Sequence, residues 1–370
     1  MLRIEGLAPN LREVRMLQMR PSYADHQSLS EPRAWDWLPT DIGGRDRKQQ
    51  VTSLDHLELG VFLAFLSRFS EGEFQYWNGL ADLSALHTLN LTTVVDERAL
   101  DRLLSLRFPA MADLALRCTT KPSTVYFDKA KRFIRGLPRL RQLNLMNWDW
   151  HVAPLAADPK DASGSSSPIK TLRSLQLDHN PADQGNYVRN AQPTRLSLAS
   201  TSEIMGLGAL FPCLETLTLS IHRSRGDCNE VARYRALGSS FPRLQRLALV
   251  LEPLPPQPRE PPNPESTAFE DRPAGWAELT NGHIISFMAN SALDAKLARQ
   301  IFKAVASPRL ETMMVKAEAG GMFRVGPALR PWLNELAREW VVDRVNWKGE
   351  VRLRKIGRNA EGGGGRQRMV

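Results

Sequence analysis

The chain has 370 residues, of which 42% are hydrophobic and 24% are charged, and this balance excludes a largely disordered protein. The longest apolar run, VFLAFL at 61–66, is far too short to span a bilayer, and the charged opening segment has no apolar stretch of signal-peptide length. We therefore expect a protein of the cytoplasm or nucleus that has no membrane partner.

The formal net charge of +9 is concentrated at one end of the chain. Residues 341–370 hold eight Lys or Arg against three acids, so the rest of the chain is nearly balanced. A basic tail can bind nucleic acid, and a nucleic-acid-associated protein that acts through this tail is one alternative function. Most basic runs are simply solvated, and this alternative is the weaker one.

Neither the cysteines nor the histidines form a pattern that carries chemistry. Cys118, Cys213 and Cys228 are an odd, sparse set without C-x-x-C spacing, which fits a reducing compartment and argues against a disulfide framework or a zinc site. The seven histidines match no metal-binding spacing, and no phosphate-binding glycine loop or G-x-S-x-G motif is present. We expect no catalytic residues, no metal and no cofactor, and hence a protein that is not an enzyme.

One phrase, L-x-x-L-x-L, recurs along the chain. Its first apolar residues are Leu11, Leu54, Leu86, Met111, Leu140, Leu172, Leu214, Leu244 and Leu310. Most spacings are 25 to 43 residues and the last is 66; this periodicity and this phrase are typical of leucine-rich repeats. We predict an α/β leucine-rich-repeat solenoid over 1–357, with a curved parallel sheet and helices on its convex side.

The first repeat begins almost at the start of the chain, although a terminal repeat needs a covered outer face. Either the segment 20–50 covers it, or the chain lacks a natural N-terminal portion. The second alternative is favoured, because 20–50 has the composition of an irregular insertion.

Segments with helical periodicity lie between the strands. The first follows Asp96, a predicted N-cap, and the second ends at Gly136. A brief third helix spans 231–237, and a fourth, with apolar positions over 293–305, has Ser291 and Asp294 as a possible capping box at its start. Their apolar positions are Leu100, Leu103, Leu104; Tyr126, Ala130, Phe133, Ile134, Leu137; Val231, Tyr234, Leu237; and Leu293, Leu297, Ile301, Val305.

Two insertions interrupt the repeats, at 156–168 and at 252–275. The second carries eight prolines and is predicted to be an extended or disordered loop. Beyond the last repeat we predict a helix over 329–340 and an antiparallel hairpin in which Arg352 and Arg354 are edge charges. The Gly- and Arg-rich tail, 358–370, is predicted to be disordered.

The segment 294–321, DAKLARQIFKAVASPRLETMMVKAEAGG, combines an A-x-x-I-F helix, a final L-E-x-M-x-V repeat and the pair Gly320 and Gly321. Here the chain resembles the leucine-rich-repeat region of fungal F-box-type proteins, with similarity over most of 7–357. That resemblance implies repeats that hold the substrate of an SCF-type ubiquitin ligase. The F-box pattern itself is not found in residues 1–50, so the ligase adaptor is an expected partner only if an F-box lies upstream.

The residues between the leucines point to the opposite, concave surface of the sheet. These candidate binding residues are Glu58, Thr88, Asn90, Asp113, Gln142, Asn144, Ser174, Gln176, Thr216, Thr218 and Arg246. Their short, mildly polar side chains suit a protein partner or substrate and include no array of cations to follow phosphates. Trp148 and Trp150 are candidate aromatic anchors, with packing between repeats as the alternative. The favoured function is therefore a non-catalytic protein-protein interaction scaffold.

Overall fold

A computed structural model of the chain describes residues 12–18, 52–61, 68–119, 123–148, 168–178, 199–253, 268–273, 280–317, 335–346 and 350–356. The chain divides into two compact units, residues 1–219 and 220–370, and each is described by itself. The predicted insertions 20–50 and 156–168 lie outside the described residues except for position 168, and the tail 358–370 lies wholly outside them.

The first unit is built on a parallel sheet. The strands of this unit are β1 Glu13–Gln18, β2 Thr52–Ser53, β3 His56–Val61, β4 Arg68–Phe69, β5 Ala81–Asp82, β6 Thr88–Val95, β7 Asp113–Arg117, β8 Gln142–Met146, β9 Ser174–Asp178 and β10 Thr216–His222, within which the two units divide. Strands β2 and β5 pair with each other as a separate two-stranded sheet. Strands β1, β3, β6, β7, β8, β9 and β10 follow one another in the sheet, each parallel to the next. The predicted α/β class with a mostly parallel sheet is confirmed.

The register of these strands puts the repeated leucines side by side. Two buried rows result: Leu57, Leu89, Leu114, Leu143, Leu175, Leu217; and Leu59, Leu91, Leu116, Leu145, Leu177. The first apolar residue of each phrase is buried just before its strand: Leu54, Leu86, Met111, Leu140, Leu172 and Leu214. A single strand could not bury these side chains alone, so the stacking of neighbouring strands supplies the core.

A repeated backbone hydrogen bond guides the chain into each strand. The Ala112 carbonyl accepts from the amides of both Arg141 and Gln142, at 2.7 and 3.0 Å. The same double acceptance recurs at the carbonyls of Arg12, Asp55, His87, Arg141 and Arg173. Because each of these carbonyls binds the start of the next strand, it fixes the register in which that strand pairs with its neighbour.

Four helices alternate with these strands: α1 Glu71–Leu80, α2 Glu97–Ser105, α3 Thr124–Arg135 and α4 Thr201–Leu210. Each begins with a polar cap whose side chain accepts from a backbone amide of the first turn. These caps are Ser70, Asp96, Ser123 and Ser200. The predicted helix after Asp96 and the one that ends at Gly136 are confirmed as α2 and α3.

The second unit contains α5 Cys228–Ser240, β11 Arg246–Glu252, α6 Asn281–Ser291, α7 Ala295–Val305, β12 Thr312–Ala317, β13 Glu339–Arg344 and β14 Val351–Ile356. Strand β12 is parallel to β11, whereas β13 and β14 continue the sheet in antiparallel fashion. The predicted C-terminal hairpin is thus confirmed. Leu247, Leu249, Met313 and Val315 are buried, as the repeat phrase predicts.

Three local predictions in this unit need correction. Asp294 alone caps α7, by accepting from the Leu297 amide, because Ser291 ends the preceding helix α6. Trp340, predicted as helical, lies in β13, because its backbone pairs with β12. The Pro-rich segment, predicted to be extended or disordered, includes a 3-10 turn at Phe269–Asp271. The Asn281 side chain donates a hydrogen bond to the Phe269 carbonyl of this turn.

A glycine in α5 allows close packing against α7. A Cβ atom at Gly238 would lie 1.5 Å from the Val305 carbonyl oxygen, so Gly238→Ala must displace backbone. We expect this variant to lose about 3 kcal/mol of unfolding free energy in urea titrations, at the upper end of ordinary overpacking costs.

The matched control is Gly79→Ala in α1, where an added Cβ would meet nothing within 4 Å. That variant should gain about 0.5–1 kcal/mol of unfolding free energy, because alanine loses less backbone entropy than glycine when a helix forms. Equal effects from the two substitutions would contradict the close contact between α5 and α7.

Candidate functional site

The sheet of the first unit carries two rows of polar side chains opposite its leucines. The first row is His56, Thr88, Asp113, Gln142, Ser174 and Thr216, and the second is Glu58, Asn90, Ala115, Asn144, Gln176 and Thr218. All of these side chains are half-buried or exposed. We call these two rows the polar face. Every predicted binding residue except Arg246 and the two tryptophans belongs to it.

An ionic cluster occupies the polar face at β3. The Glu58 carboxylate accepts from Asn90 Nδ2 at 3.0 Å and lies 3.7 Å from Arg15 Nε and 3.9 Å from His56 Nε2. Arg15 also contacts Glu13. Sequence reasoning missed Arg15, whose only signal is its place opposite Glu58 in the register of β1 and β3.

Asp113 is the acid at the middle of the first row. It accepts from Thr88 Oγ1 at 3.4 Å, which is a weak hydrogen bond. Burial raises the pKa of Asp113, and this effect outweighs the opposing effects of Thr88, Arg141, His56 and His87. The charged carboxylate is therefore poorly solvated, and an added cation would stabilise it.

Two amide oxygens of the second row are buried and have no hydrogen-bond partner within the part of the chain that the structure describes. They are Asn90 Oδ1 on β6 and Asn144 Oδ1 on β8. Ala115 on β7 lies between them in the register. Buried polar atoms are normally partnered, so these two oxygens are exceptions in the packing of the face and, being buried, are not open to an external ligand.

The remainder of the polar face, on β8 to β10, is uncharged. Its six positions are Gln142, Asn144, Ser174, Gln176, Thr216 and Thr218. Amide and hydroxyl groups both donate and accept, so they can follow the alternating N–H and C=O groups of a polypeptide.

The corresponding surface of the second unit differs. Arg246 is exposed at the start of β11, but Ala248 and Val250, which alternation predicts for the open surface, are only 7% and 6% exposed. Alternation alone therefore fails for Ala248, because β11 is a continuous apolar run that buries both of its faces. Only Arg246 among the predicted site residues lies in this unit.

Two arginines near the C-terminus have partners inside the second unit. Arg344 donates to the Ser307 carbonyl at 2.8 Å and lies over the Phe302 ring. Arg354 contacts Asp343 at 2.9 Å. Arg344 is thus held by neutral groups of its own unit, and the charge of Arg354, whose side chain is 61% exposed, is partly balanced by Asp343.

The two candidate aromatic anchors are not equivalent. Trp148 is only 4% exposed, and its ring meets that of Phe127 edge-on at a centroid distance of 5.1 Å. Its position supports the packing alternative. Trp150 lies outside the described residues.

Sequence reasoning also missed a buried ion pair between Arg223 and Glu230 in the second unit. Arg223 Nη1 donates to Glu230 Oε1 at 2.9 Å, and the two residues are 5% and 0% exposed. Arg223 Nε also donates to the Asn290 carbonyl at 2.8 Å, which fixes α6 to this cluster. The pair is fully enclosed, so we assign it to stability and not to binding.

Across the described ranges, no group of three or more His, Cys, Asp or Glu side chains is arranged to hold a metal ion. None of the helices that the structure describes is long and apolar enough to cross a membrane. All three cysteines are free thiols, and burial raises the pKa of Cys118 to about 12.

No protein-family model matches the sequence, and no curated protein is significantly similar to it.

Proposed function

We propose that this chain is a non-catalytic scaffold of the leucine-rich-repeat type, and that its polar face binds a protein partner or substrate. The observation that carries the proposal is the register of six strands, β3 and β6 to β10, which collects eleven separated polar residues of the sequence onto one surface. A parallel sheet with repeated polar rows is well suited to many modest contacts along an extended ligand.

The repeat architecture is supported by three features of the first unit. Leucines at matching positions form continuous buried rows, capped helices lie between successive strands, and one backbone hydrogen-bond pattern recurs at strand entrances. Each feature follows from a short unit that cannot bury its core alone. Within this proposal the polar rows are the concave surface of the solenoid.

The charge of the polar face favours a polypeptide over nucleic acid. Its rows contain Glu58 and Asp113 but no Lys or Arg, whereas binding to a phosphate backbone requires several cations. The polar groups are distributed over a broad surface, as expected for a protein ligand.

A finer proposal follows from the resemblance to fungal F-box-type proteins. Helix α7 and strand β12 correspond to the segment that carries it, 294–321, of which residues 294–317 are described. We propose that the chain, in the cytoplasm or nucleus, holds the substrate of an F-box-like ubiquitin ligase receptor. A ligase adaptor would be a further partner only through an F-box encoded upstream.

The test compares proteins that are captured from cells expressing the chain. The face variant combines Gln142→Arg with Thr216→Arg, which adds two large cations to the first row. The control combines Val125→Arg with Met205→Arg, at helix positions that are 53% and 58% exposed. Both variants have the same added charge, and the captured proteins are quantified by mass spectrometry.

We expect at least one partner to be recovered by both the wild type and the control, and its recovery to fall about tenfold or more with the face variant. The reason is that buried cations without partners are strongly unfavourable in an interface. Equal recovery by all three proteins, or the recovery of no partner, would overturn the proposal. The finer proposal would be supported if a ligase adaptor is recovered only with a chain that carries the upstream extension.

A further inference from the structure

The turns that lead into β11 and β12 border an open cavity in the second unit. Its volume is about 410 Å³, and its lining residues are Gln245, Pro308, Arg309, Leu310, Glu311 and Arg344. We call it the entrance cavity. All of its lining residues belong to the second unit, so the cavity is independent of the polar face, which the strands of the first unit carry.

Arg344 brings to the entrance cavity a positive charge that is held by neutral groups. Its Nη2 donates to the Ser307 carbonyl at 2.8 Å and its Nη1 donates to the Pro308 carbonyl. The Nε atom is enclosed and is not available to a ligand, but each Nη nitrogen retains one further N–H. In the part of the chain that the structure describes, Arg344 forms no ion pair with a carboxylate.

Arg309 and Arg243 occupy matching positions in the turns before β12 and β11, and both are exposed. The turns 307–310 and 241–244 are closed by the same backbone hydrogen bond, from the last amide to the first carbonyl, at 3.3 and 3.1 Å. Because β11 and β12 pair in register, the two turns lie side by side at a strand spacing of about 5 Å. The register therefore places Arg243 next to the arginine that lines the cavity.

One acid of the lining balances this charge only in part. Glu311 is exposed, but within the described ranges its carboxylate forms no ion pair with Arg243, Arg309 or Arg344. The lining thus holds two arginines against one glutamate, and Arg243 adds a third cation beside it. Like charges held this close repel one another, so an anion placed among them would be stabilised.

We propose that the entrance cavity binds an acidic segment of a protein partner. A glutamate side chain of that segment enters the cavity between Arg309 and Arg344, and a neighbouring carboxylate lies against Arg243. The inference goes beyond the proposed function and does not rest on it, because none of these residues belongs to the polar face.

A carboxylate fits this arrangement better than the phosphates of a nucleic acid. Arginine presents a planar fork of N–H donors that matches the two oxygens of a carboxylate. The single negative charge of a glutamate equals the net charge of the lining, and the exposed Pro308 offers apolar contact to its methylene groups. A phosphate backbone requires several cations along its length, whereas here Glu311 interrupts a set of only three.

The experiment uses the full chain and a fluorescent peptide with four consecutive glutamates, flanked by glycines, as the probe. Binding is followed by fluorescence anisotropy at low salt, where we expect a Kd on the order of 100 μM. The same peptide with glutamines in place of the glutamates should bind about tenfold more weakly or worse, because it lacks the charge. An oligothymidylate of about ten nucleotides tests the phosphate alternative.

Three variants and a control locate the site. Arg309→Glu reverses a charge of the lining and should weaken peptide binding about tenfold or more, and Arg243→Glu should weaken it about threefold. Glu311→Gln removes the opposing acid and should tighten binding about threefold, a gain that misfolding cannot produce. Arg299→Glu makes the same charge change at an exposed position of α7 and should leave binding unchanged.

The inference is overturned if the glutamine peptide binds as well as the glutamate peptide, if Arg309→Glu has no effect, or if Glu311→Gln fails to tighten binding. Tighter binding of the oligothymidylate than of the peptide, lost in Arg309→Glu, would assign the cavity to nucleic acid and also overturn it. The face variant leaves all residues of the entrance cavity unchanged, so its partner recovery tests the proposed function separately.

Discussion

Glu230→Ala is expected to cost the second unit about 3–5 kcal/mol of unfolding free energy, because it leaves the buried Arg223 without its counter-charge. Glu230 accepts from Arg223 at 2.9 Å, from Tyr234 Oη at 2.6 Å and from the backbone amides of Ser224 and Gly226 at 2.7 and 2.8 Å. The turn that supplies these amides places Gly226 at φ 78°, a conformation that glycine adopts without strain.

The carboxylate is held in its charged form. Burial by itself raises the pKa of Glu230, but the hydrogen bonds from Tyr234, Gly226 and Ser224 and the charge of Arg223 together lower it below its ordinary value. The contribution of Glu230 to stability is thus present above the pKa that glutamate has in the unfolded chain, about 4.3. It is lost as the pH falls further, through the lower pKa of the folded state.

An exposed ion pair provides the control for Glu230→Ala. Arg173 and Glu215 approach within 2.6 Å, but their side chains are 45% and 38% exposed, so Glu215→Ala should cost less than about 1 kcal/mol. Glu230→Gln keeps the shape of the side chain and should cost less than Glu230→Ala. Urea titrations at neutral pH measure all three, and a loss for Glu230→Ala no larger than that for Glu215→Ala would mean that the buried pair does not form in solution.

The sequence was sufficient to predict the strands because one physical constraint repeats. Leucine at alternate positions must face a common core, so alternation alone assigns Leu143 and Leu247 to the buried side. Helices α2 and α3 were predicted from the same principle at helical spacing. Helices α1 and α4 were missed, because Gly72, Gly79 and further glycines in α4 lower helix propensity.

The polar face could be predicted only in part. Alternation identifies which side chains leave the core, but it says nothing about how they interact across strands that are 25 or more residues apart in sequence. The contact of Glu58 with Asn90 and the unpartnered oxygen of Asn144 depend on register and side-chain rotamers. The burial of Ala248 depends on the segments that pack on β11, and the repeat phrase carries no information about those segments.

Leu143→Ala and Leu247→Ala test the phase of the strands in the two units. Both side chains are 2% exposed, and each truncation should cost about 2–5 kcal/mol through lost burial and an added cavity. Thr216→Ala changes a half-buried residue of the polar face and should cost well under about 1 kcal/mol.

Comparison of the three variants distinguishes a wrong strand register from a general sensitivity of the fold to substitution. A shift of one residue in any strand exchanges its buried and open sides, so Leu143→Ala would then become mild and Gln142→Ala would become costly. Urea unfolding of each variant measures these free energies. Small, equal losses for all three would contradict the alternation on which the polar face depends.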